Sequence, residues 1–318
     1  MPPQLAVLAA VTLWGVSFVA TRAALAEISP IPLVFTRFAL GTALLLTLLA
    51  IRRRLKIPPR ESWPALATMG FLGIFLHQML QAHGLTLTTA VHTGWLIALI
   101  PIWSALLSAA VLRERFDSTK VAGLLLGFAG AALVVNRGKL SGGFLSLPTT
   151  RGDLLILAST LNWAVYSVVG RRTLALLGSA RATAFAMLAG WAMLAPLFAL
   201  RAGWREYAHV SRAGWGAIVF LGIGCSGLGY LFWYAGLEKL ETSRVAAFLY
   251  LEPLVTLAAA VTLLGESVQW TTLAGGAIVL AGVFLVQRAR KPAAGRLSGG
   301  DVASGDLTPD VASGDLTP

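Results

Sequence analysis

The sequence PIWSALLSAAVLRERFDSTKVAGLLLGFAG at residues 101–130 recurs as PLVTLAAAVTLLGESVQWTTLAGGAIVLAG at residues 253–282, at a spacing of 152 residues. Each copy contains a proline, a glutamate 13 residues later and then two glycines seven residues apart, Gly123 and Gly130 in the first copy and Gly275 and Gly282 in the second. The same register holds without insertion over residues 63–134 and 215–286. Because the repeated unit covers most of each half, the repeat indicates a chain built by duplication.

The composition predicts an integral membrane protein. The chain is 57% hydrophobic and only 12% charged, with a mean hydropathy of +0.76, whereas soluble domains are about one quarter charged. The stretches 38–51 and 93–112 carry no charge at all. The first apolar stretch lacks the basic start and cleavage site of a signal peptide. The net charge of +11 lies in short loops, so it does not indicate nucleic-acid binding.

The apolar segments predict an all-α membrane protein with ten transmembrane helices, at about 20 residues for each crossing. The first half is expected at 1–135, a polar linker at 136–151 and the second half at 152–287. Residues 288–318 are expected to form a basic and then disordered tail, native or foreign to the natural chain, because DVASGDLTP occurs there twice in tandem. The predicted spans are 4–26, 31–51, 64–84, 88–112, 118–135, 152–172, 180–200, 212–236, 242–264 and 269–287.

Most of the basic loop residues, including the Arg52–Arg60 segment, fall on one side of this arrangement. The positive-inside rule therefore predicts that both termini are cytoplasmic, in a bacterial inner membrane. Five spans in each half force the second copy to enter the membrane inverted. Inverted repeats build many secondary transporters, whose substrate sites lie near the membrane midplane.

The paired motif, Pro101 with Glu114 and Pro253 with Glu266, each followed by two glycines, resembles the EamA-type repeat of the drug/metabolite transporter superfamily. WGVSFVATRAAL in the first span, and YLEPLV followed by LLGE in the ninth, also match. The resemblance covers about residues 5–287. It implies ten helices in two five-helix halves and export of small metabolites. The aromatic-rich composition is similar to that of amino-acid exporters.

Polar residues inside the spans are the candidate substrate ligands. His77 and Gln81 share one face of the third span, where their polar atoms need partners or water. Arg37 in the second span and Glu252 in the ninth are intramembrane charges, which either pair or mark a substrate route. Arg37 is expected to attract a carboxylate. Glu252 is expected to meet an ammonium group or exchange a proton; as an alternative, either residue is a structural strut.

Aromatic side chains at mid-span complete the predicted site. Trp14, Trp95 and Trp163 are expected to border one central cavity with His77, with packing or lipid contact as the alternative for each tryptophan. The full predicted substrate-binding set is Trp14, Phe18, Arg37, His77, Gln81, Trp95, Trp163, Tyr166, Phe248 and Glu252.

The repeated proline and glutamate have structural interpretations. Pro101 and Pro253 are expected to kink or loosen their helices. Glu114 and Glu266 are expected to anchor a loop or cap the next helix.

The sequence contains none of the common catalytic, metal-binding or nucleotide-binding motifs that were sought. There is no HExxH, P-loop or GxSxG pattern, and Cys225 is the single cysteine. The sequence therefore predicts no catalytic residue, no cofactor and no metal. The favoured function is a secondary transporter that exports small organic metabolites across the lipid bilayer by alternating access. The expected substrates are amino acids, aromatic or hydrophobic, or related amphipathic compounds, and protons are the candidate coupling ion. The alternatives are a membrane-embedded enzyme or lipid-processing protein, and a channel-like or scaffold protein.

Overall fold

The computed structural model describes residues 1–112, 118–136, 148–237, 239–240 and 248–288, and all regular structure within them is helical. In this part of the chain, eight helices are long and apolar enough to cross a membrane, and two shorter apolar helices follow them. The uninterrupted helices are α1 (Pro3–Ala24), α2 (Pro30–Ile51), α5 (Ser118–Asn136), α6 (Pro148–Leu177), α7 (Ser179–Leu200) and α10 (Trp270–Arg288). The composite helices are α3 (Trp63–Gly70, Phe71–Leu76, His77–Leu87), α4 (Ala90–Ile97, Ile100–Leu112), α8 (Arg212–Val219, Phe220–Gly229, Tyr230–Leu237) and α9 (Phe248–Leu251, Glu252–Leu264).

The interruptions of the composite helices fall at matching places in the two halves. Both α3 and α8 contain a π-helical segment at their middle, and such segments occur frequently at functional sites. Both α4 and α9 restart one residue before a repeated proline, Pro101 or Pro253. Proline supplies no backbone N–H, so a regular α-helix cannot run through this point unchanged. The expected loosening at the two prolines is therefore confirmed.

Eight helices form a closed ring in the order α1, α8, α2, α7, α3, α6, α4, α9 and back to α1. Each neighbour in the ring comes from the other half of the chain. Glycines permit the close approach, as where Gly70 of α3 lies against Gly190 of α7 and Gly15 of α1 against Val255 of α9. The ring thus interleaves the two halves around one interior.

Outside this ring, α5 and α10 pack on each other through the repeated glycines. Gly123 lies against Gly282, and Gly130 lies against Gly275. This pairing order means that the two helices run antiparallel at the contact. A side chain on Gly130 would place its Cβ 2.6 Å from the carbonyl oxygen of Gly275. The glycine part of the repeated motif is therefore explained by close packing of the two backbones.

The first helix of the second half begins earlier in the sequence than predicted. Helix α6 begins at Pro148, within the segment 136–151 that was expected to be a linker loop. Glu114, the middle of that segment and the tail beyond Arg288 lie outside the described residues.

Candidate functional site

Arg37 is a buried cation of α2, with 8% of its surface exposed. Its Nε donates to Ser226 Oγ of α8 at 2.9 Å, and its Nη1 donates to Gln78 Oε1 of α3 at 3.3 Å. Its guanidinium carbon lies 5.3 Å from the centre of the Phe38 ring. All these partners are neutral, and no carboxylate within the described residues pairs with it. Within the described residues, the ring therefore holds a positive charge without a counter-ion.

Glu252 is a buried carboxylate at the start of the α-helical part of α9, with 9% of its surface exposed. In the described part of the chain its carboxylate has neither a hydrogen-bond nor an ion-pair partner. The positive end of the helix dipole favours an anion at this position. Arg37 and Glu252 do not pair with each other. Arg37 and Glu252 are thus two separate buried ionisable groups of the ring, one from each half of the chain.

His77 of α3 contacts Gln81 of the same helix and an aromatic side chain of α6. His77 Nδ1 lies 3.0 Å from the backbone oxygen of Ser159, and because a carbonyl only accepts, Nδ1 must carry the hydrogen. His77 Nε2 then accepts from the Gln81 amide nitrogen at 3.3 Å. The imidazole packs on Trp163 at 4.8 Å between ring centres, and Trp163 packs on Tyr166 at 4.9 Å. Four of the predicted site residues therefore form one group.

Trp14 belongs to a second group, between α1 and α8. Its indole Nε1 donates to the backbone oxygen of Cys225 at 3.1 Å. Its ring lies 5.4 Å from Tyr230 and 5.2 Å from Trp233, measured between ring centres. Since Cys225 precedes the Arg37 partner Ser226, this aromatic group adjoins the arginine.

The remaining aromatic residues of the predicted set lie in apolar clusters. Phe18 and Trp95 are both buried in the largest hydrophobic cluster, and the Trp95 ring lies over Gly276 of α10. Phe248 packs with Val7 of α1. The structure thus brings Trp163 to His77 but places Trp14 and Trp95 in two other groups.

Several polar contacts of the interior were not singled out from the sequence. Gln78 and Ser226 hold Arg37, and Tyr230 stands 152 residues after Gln78 in the same register. Extending the repeat comparison to these positions would have found Gln78 and Tyr230 as an equivalent pair.

A buried hydrogen bond between α4 and α6 was also missed. His92 Nδ1 lies 3.0 Å from Asp153 Oδ2, the carboxylate of Asp153 is fully buried, and the Thr88 hydroxyl donates to it as well. The two partners are 61 residues apart and follow no repeat, so the sequence offered no signal for the pair.

Glu266 has the capping role expected of it, but on an unexpected helix. Its two carboxylate oxygens accept the backbone N–H groups of Ala90 at 2.9 Å and Val91 at 3.0 Å. These N–H groups belong to the first turn of α4, in the other half of the chain. A cavity of about 280 Å³ adjoins the contact and is lined by Thr89, His92 and Gln269, among others.

Tyr207, in the segment between α7 and α8, anchors the start of α2. Its hydroxyl shares a hydrogen bond with Thr36 and donates to the backbone oxygen of Pro32 at 3.4 Å. Burial raises the pKa of the Tyr207 hydroxyl, and the hydrogen bond to Thr36 offsets part of the rise. The phenol therefore stays protonated at neutral pH and keeps its hydrogen bond to Pro32. This bond holds the start of the helix that carries Arg37.

A ring of apolar helices with buried ionisable groups that have no charged partner among the described residues is typical of a multi-pass membrane protein that carries solutes. The model of the EamA-like transporter family matches this sequence twice, at residues 1–136 and 150–288. The chain belongs to the EamA-like transporter family. The family points to a transporter rather than an enzyme.

Individual relatives agree with this membership. The chain is 33% identical to an uncharacterized transporter of Archaeoglobus fulgidus, over 86% of this chain and 93% of that protein. It is 30% identical to a probable terminal-alkyne amino-acid exporter of Streptantibioticus cattleyicolor, over 87% of this chain and 91% of that protein. A solved crystal structure is similar with a TM-score of 0.63 and 25% identity, over 89% of this chain and 95% of that chain.

Proposed function

We propose that this protein is a secondary transporter that exports small organic metabolites by alternating access, with aromatic or hydrophobic amino acids as the main substrates. The observation that carries the proposal is Arg37, a buried guanidinium whose partners among the described residues are all neutral. A buried charge normally has a counter-ion, because leaving it unpaired is costly. A substrate carboxylate would supply the missing partner, and Arg binds carboxylates through geometrically matched hydrogen bonds.

The other groups of the interior suit the remaining parts of such a substrate. Glu252 would meet the ammonium group or exchange a proton, since an unpaired buried carboxylate gains from either. Trp14 and Tyr230 beside the arginine, and Trp163 beside His77, offer ring faces to an apolar side chain. The name of the relative from Streptantibioticus cattleyicolor supports both the amino-acid substrate class and the direction of export.

We further propose ten transmembrane helices in two inverted five-helix repeats, with both termini cytoplasmic in a bacterial inner membrane. The duplicated sequence, the matched interruptions of α3 with α8 and of α4 with α9, and the antiparallel contact of α5 with α10 support the inversion. The excess of basic residues in the loops assigned to the cytoplasm supports the orientation.

A ligand-stabilisation experiment tests the carboxylate site. A ligand that binds only the folded protein raises the melting temperature. We expect phenylalanine and 3-phenylpropionate, which carry a carboxylate, to stabilise the protein more than phenethylamine, which lacks one. Arg37→Gln should abolish that difference, whereas Phe38→Leu, which keeps the cation, should preserve it. Equal stabilisation by all three compounds in the unaltered protein would contradict the carboxylate site.

A further inference from the structure

The ring of helices contains two places where a helix touches its own copy. The duplication relates α2 to α7 and α4 to α9, and both pairs are neighbours in the ring. Cutting the ring at these two contacts gives a group of α1, α2, α8 and α9 and a group of α3, α4, α6 and α7. The duplication converts one group into the other. We call the contacts between α2 and α7 and between α4 and α9 the seams, because they are the boundaries between these two equivalent groups of helices.

The seam between α4 and α9 combines close apolar packing with hydrogen bonds at its end. Gly94 of α4 lies against Thr256 of α9, and a Cβ on Gly94 would come 2.8 Å from the Thr256 side chain. Thr256 is fully buried there. At the end of the seam, the Glu266 carboxylate binds the N–H groups of Ala90 and Val91.

The local structure explains how Glu266 reaches the other group. α9 ends at Leu264, and the φ of 62° at the next residue, Gly265, lies in the left-handed region and turns the chain out of the helix. Glu266 follows directly, so its side chain points back to the first turn of α4. A carboxylate that accepts two backbone N–H groups at a positive helix end makes charge-assisted hydrogen bonds. The adjoining cavity of about 280 Å³ gives the carboxylate room to leave.

We propose that Glu266 is a gate residue: its bonds to Ala90 and Val91 close the seam between α4 and α9 on this face of the protein, and transport requires their release. The inference rests on the proposed transport function. In the structure the Glu266 bonds are intact, so this face is closed.

A second carboxylate on the same face provides a matched control. Glu27, just after α1, accepts from the backbone N–H of Ser211 at 2.6 Å and from its hydroxyl at 2.8 Å. Ser211 is the residue that caps α8. This contact resembles that of Glu266 in chemistry, but α1 and α8 belong to the same group of helices. Weakening it should leave the seam closed.

Thiol labelling tests the gate without any substrate. In a Cys225→Ala background, Thr256→Cys places a single thiol in the seam. We expect Glu266→Gln to raise the labelling rate of that thiol at least fivefold in detergent solution, where the result does not depend on which face is external. Glu27→Gln should change the rate less than twofold. Equal rates in the two variants, or no acceleration by Glu266→Gln, would overturn the proposal.

A cross-link across the seam tests the same point if Glu266→Gln does not fold. Thr89 and Gln269 line the same cavity, so Thr89→Cys with Gln269→Cys in the Cys225→Ala background should let a flexible, reducible bifunctional thiol reagent trap the closed face. We expect the cross-link to stop counterflow of labelled phenylalanine and a reductant to restore it. Counterflow that survives complete cross-linking would overturn the gate. A reduced protein without counterflow would count against the transport function instead, and the thiol labelling would then decide the gate.

Discussion

A buried arginine that contacts only a serine, a glutamine and a phenylalanine ring receives less electrostatic stabilisation than one that pairs with a carboxylate. Removing a charge of this kind is often neutral or stabilising for the folded state, whereas a binding function suffers. Substitution of Arg37 therefore distinguishes a structural role from a ligand-binding role. If Arg37 is a structural strut, the protein needs it to fold; if it binds the substrate, the protein folds without it.

At this scale we expect Arg37→Gln to weaken binding of carboxylate-bearing substrates by about tenfold to a hundredfold, the loss of one charge-assisted hydrogen bond. The melting temperature without substrate should stay the same or rise. Arg37→Lys should keep part of the affinity, since the charge remains but the bond from Nε to Ser226 is lost. Binding constants and melting curves of the two variants check this. A collapse of stability in Arg37→Gln with unchanged affinity would show a strut.

Substitution of Glu252 tests a different role. If Glu252 exchanges a proton during transport, it couples substrate movement to the proton gradient. Glu252→Gln keeps the size of the side chain and removes the ionisable group. We expect this variant to lose transport driven by a pH gradient while it retains exchange at equal pH on both sides. Normal transport under a proton gradient would contradict the coupling role. Failure to fold would show that Glu252 is structural.

The contact between α5 and α10 shows at the scale of the element why the glycines recur. Gly130 has no room for a side chain, because the Gly275 carbonyl occupies the space. Gly130→Ala should therefore lower the free energy of unfolding by about 1 to 3 kcal/mol through overpacking. Gly216 of α8 meets nothing within 4 Å and lacks a positive φ, so Gly216→Ala is the matched control and should be neutral or slightly stabilising. Thermal unfolding in detergent compares the two. Equal losses in both variants would contradict the packing account.

The sequence was sufficient to predict the features that depend on local residue patterns. The long apolar stretches predicted the helices, and the repeated prolines Pro101 and Pro253 predicted the positions of the helix breaks. The partners of a side chain depend on which helices become neighbours, and that order is not written in any local pattern. For this reason Glu266 was recognised as a cap but not as a cap of α4, and the pair of His92 with Asp153 was not anticipated. The contact of the Trp95 ring with Gly276 of α10 is a further case, since the depth of a residue in the membrane does not reveal its neighbours.

For the whole molecule, the orientation in the membrane is the first expectation. If both termini are cytoplasmic, the Arg52–Arg60 loop is cytoplasmic as well. A thiol introduced as Arg54→Cys in a Cys225→Ala background should then be protected from an impermeant reagent in intact cells and react after permeabilisation. Reaction in intact cells would reverse the assignment of the two faces. It would leave the ring and its interior unchanged.

Counterflow in liposomes tests the central claim most directly, because only a carrier with a site that reorients while loaded accumulates label against unlabelled substrate. Liposomes loaded with unlabelled phenylalanine should transiently accumulate external labelled phenylalanine when they contain the unaltered protein. Arg37→Gln should reduce that accumulation by about tenfold or more, in line with the lost charge-assisted bond. Equilibration of label without any transient accumulation would indicate a channel. No uptake of any carboxylate-bearing metabolite, or equal uptake by the Arg37→Gln variant, would contradict the account.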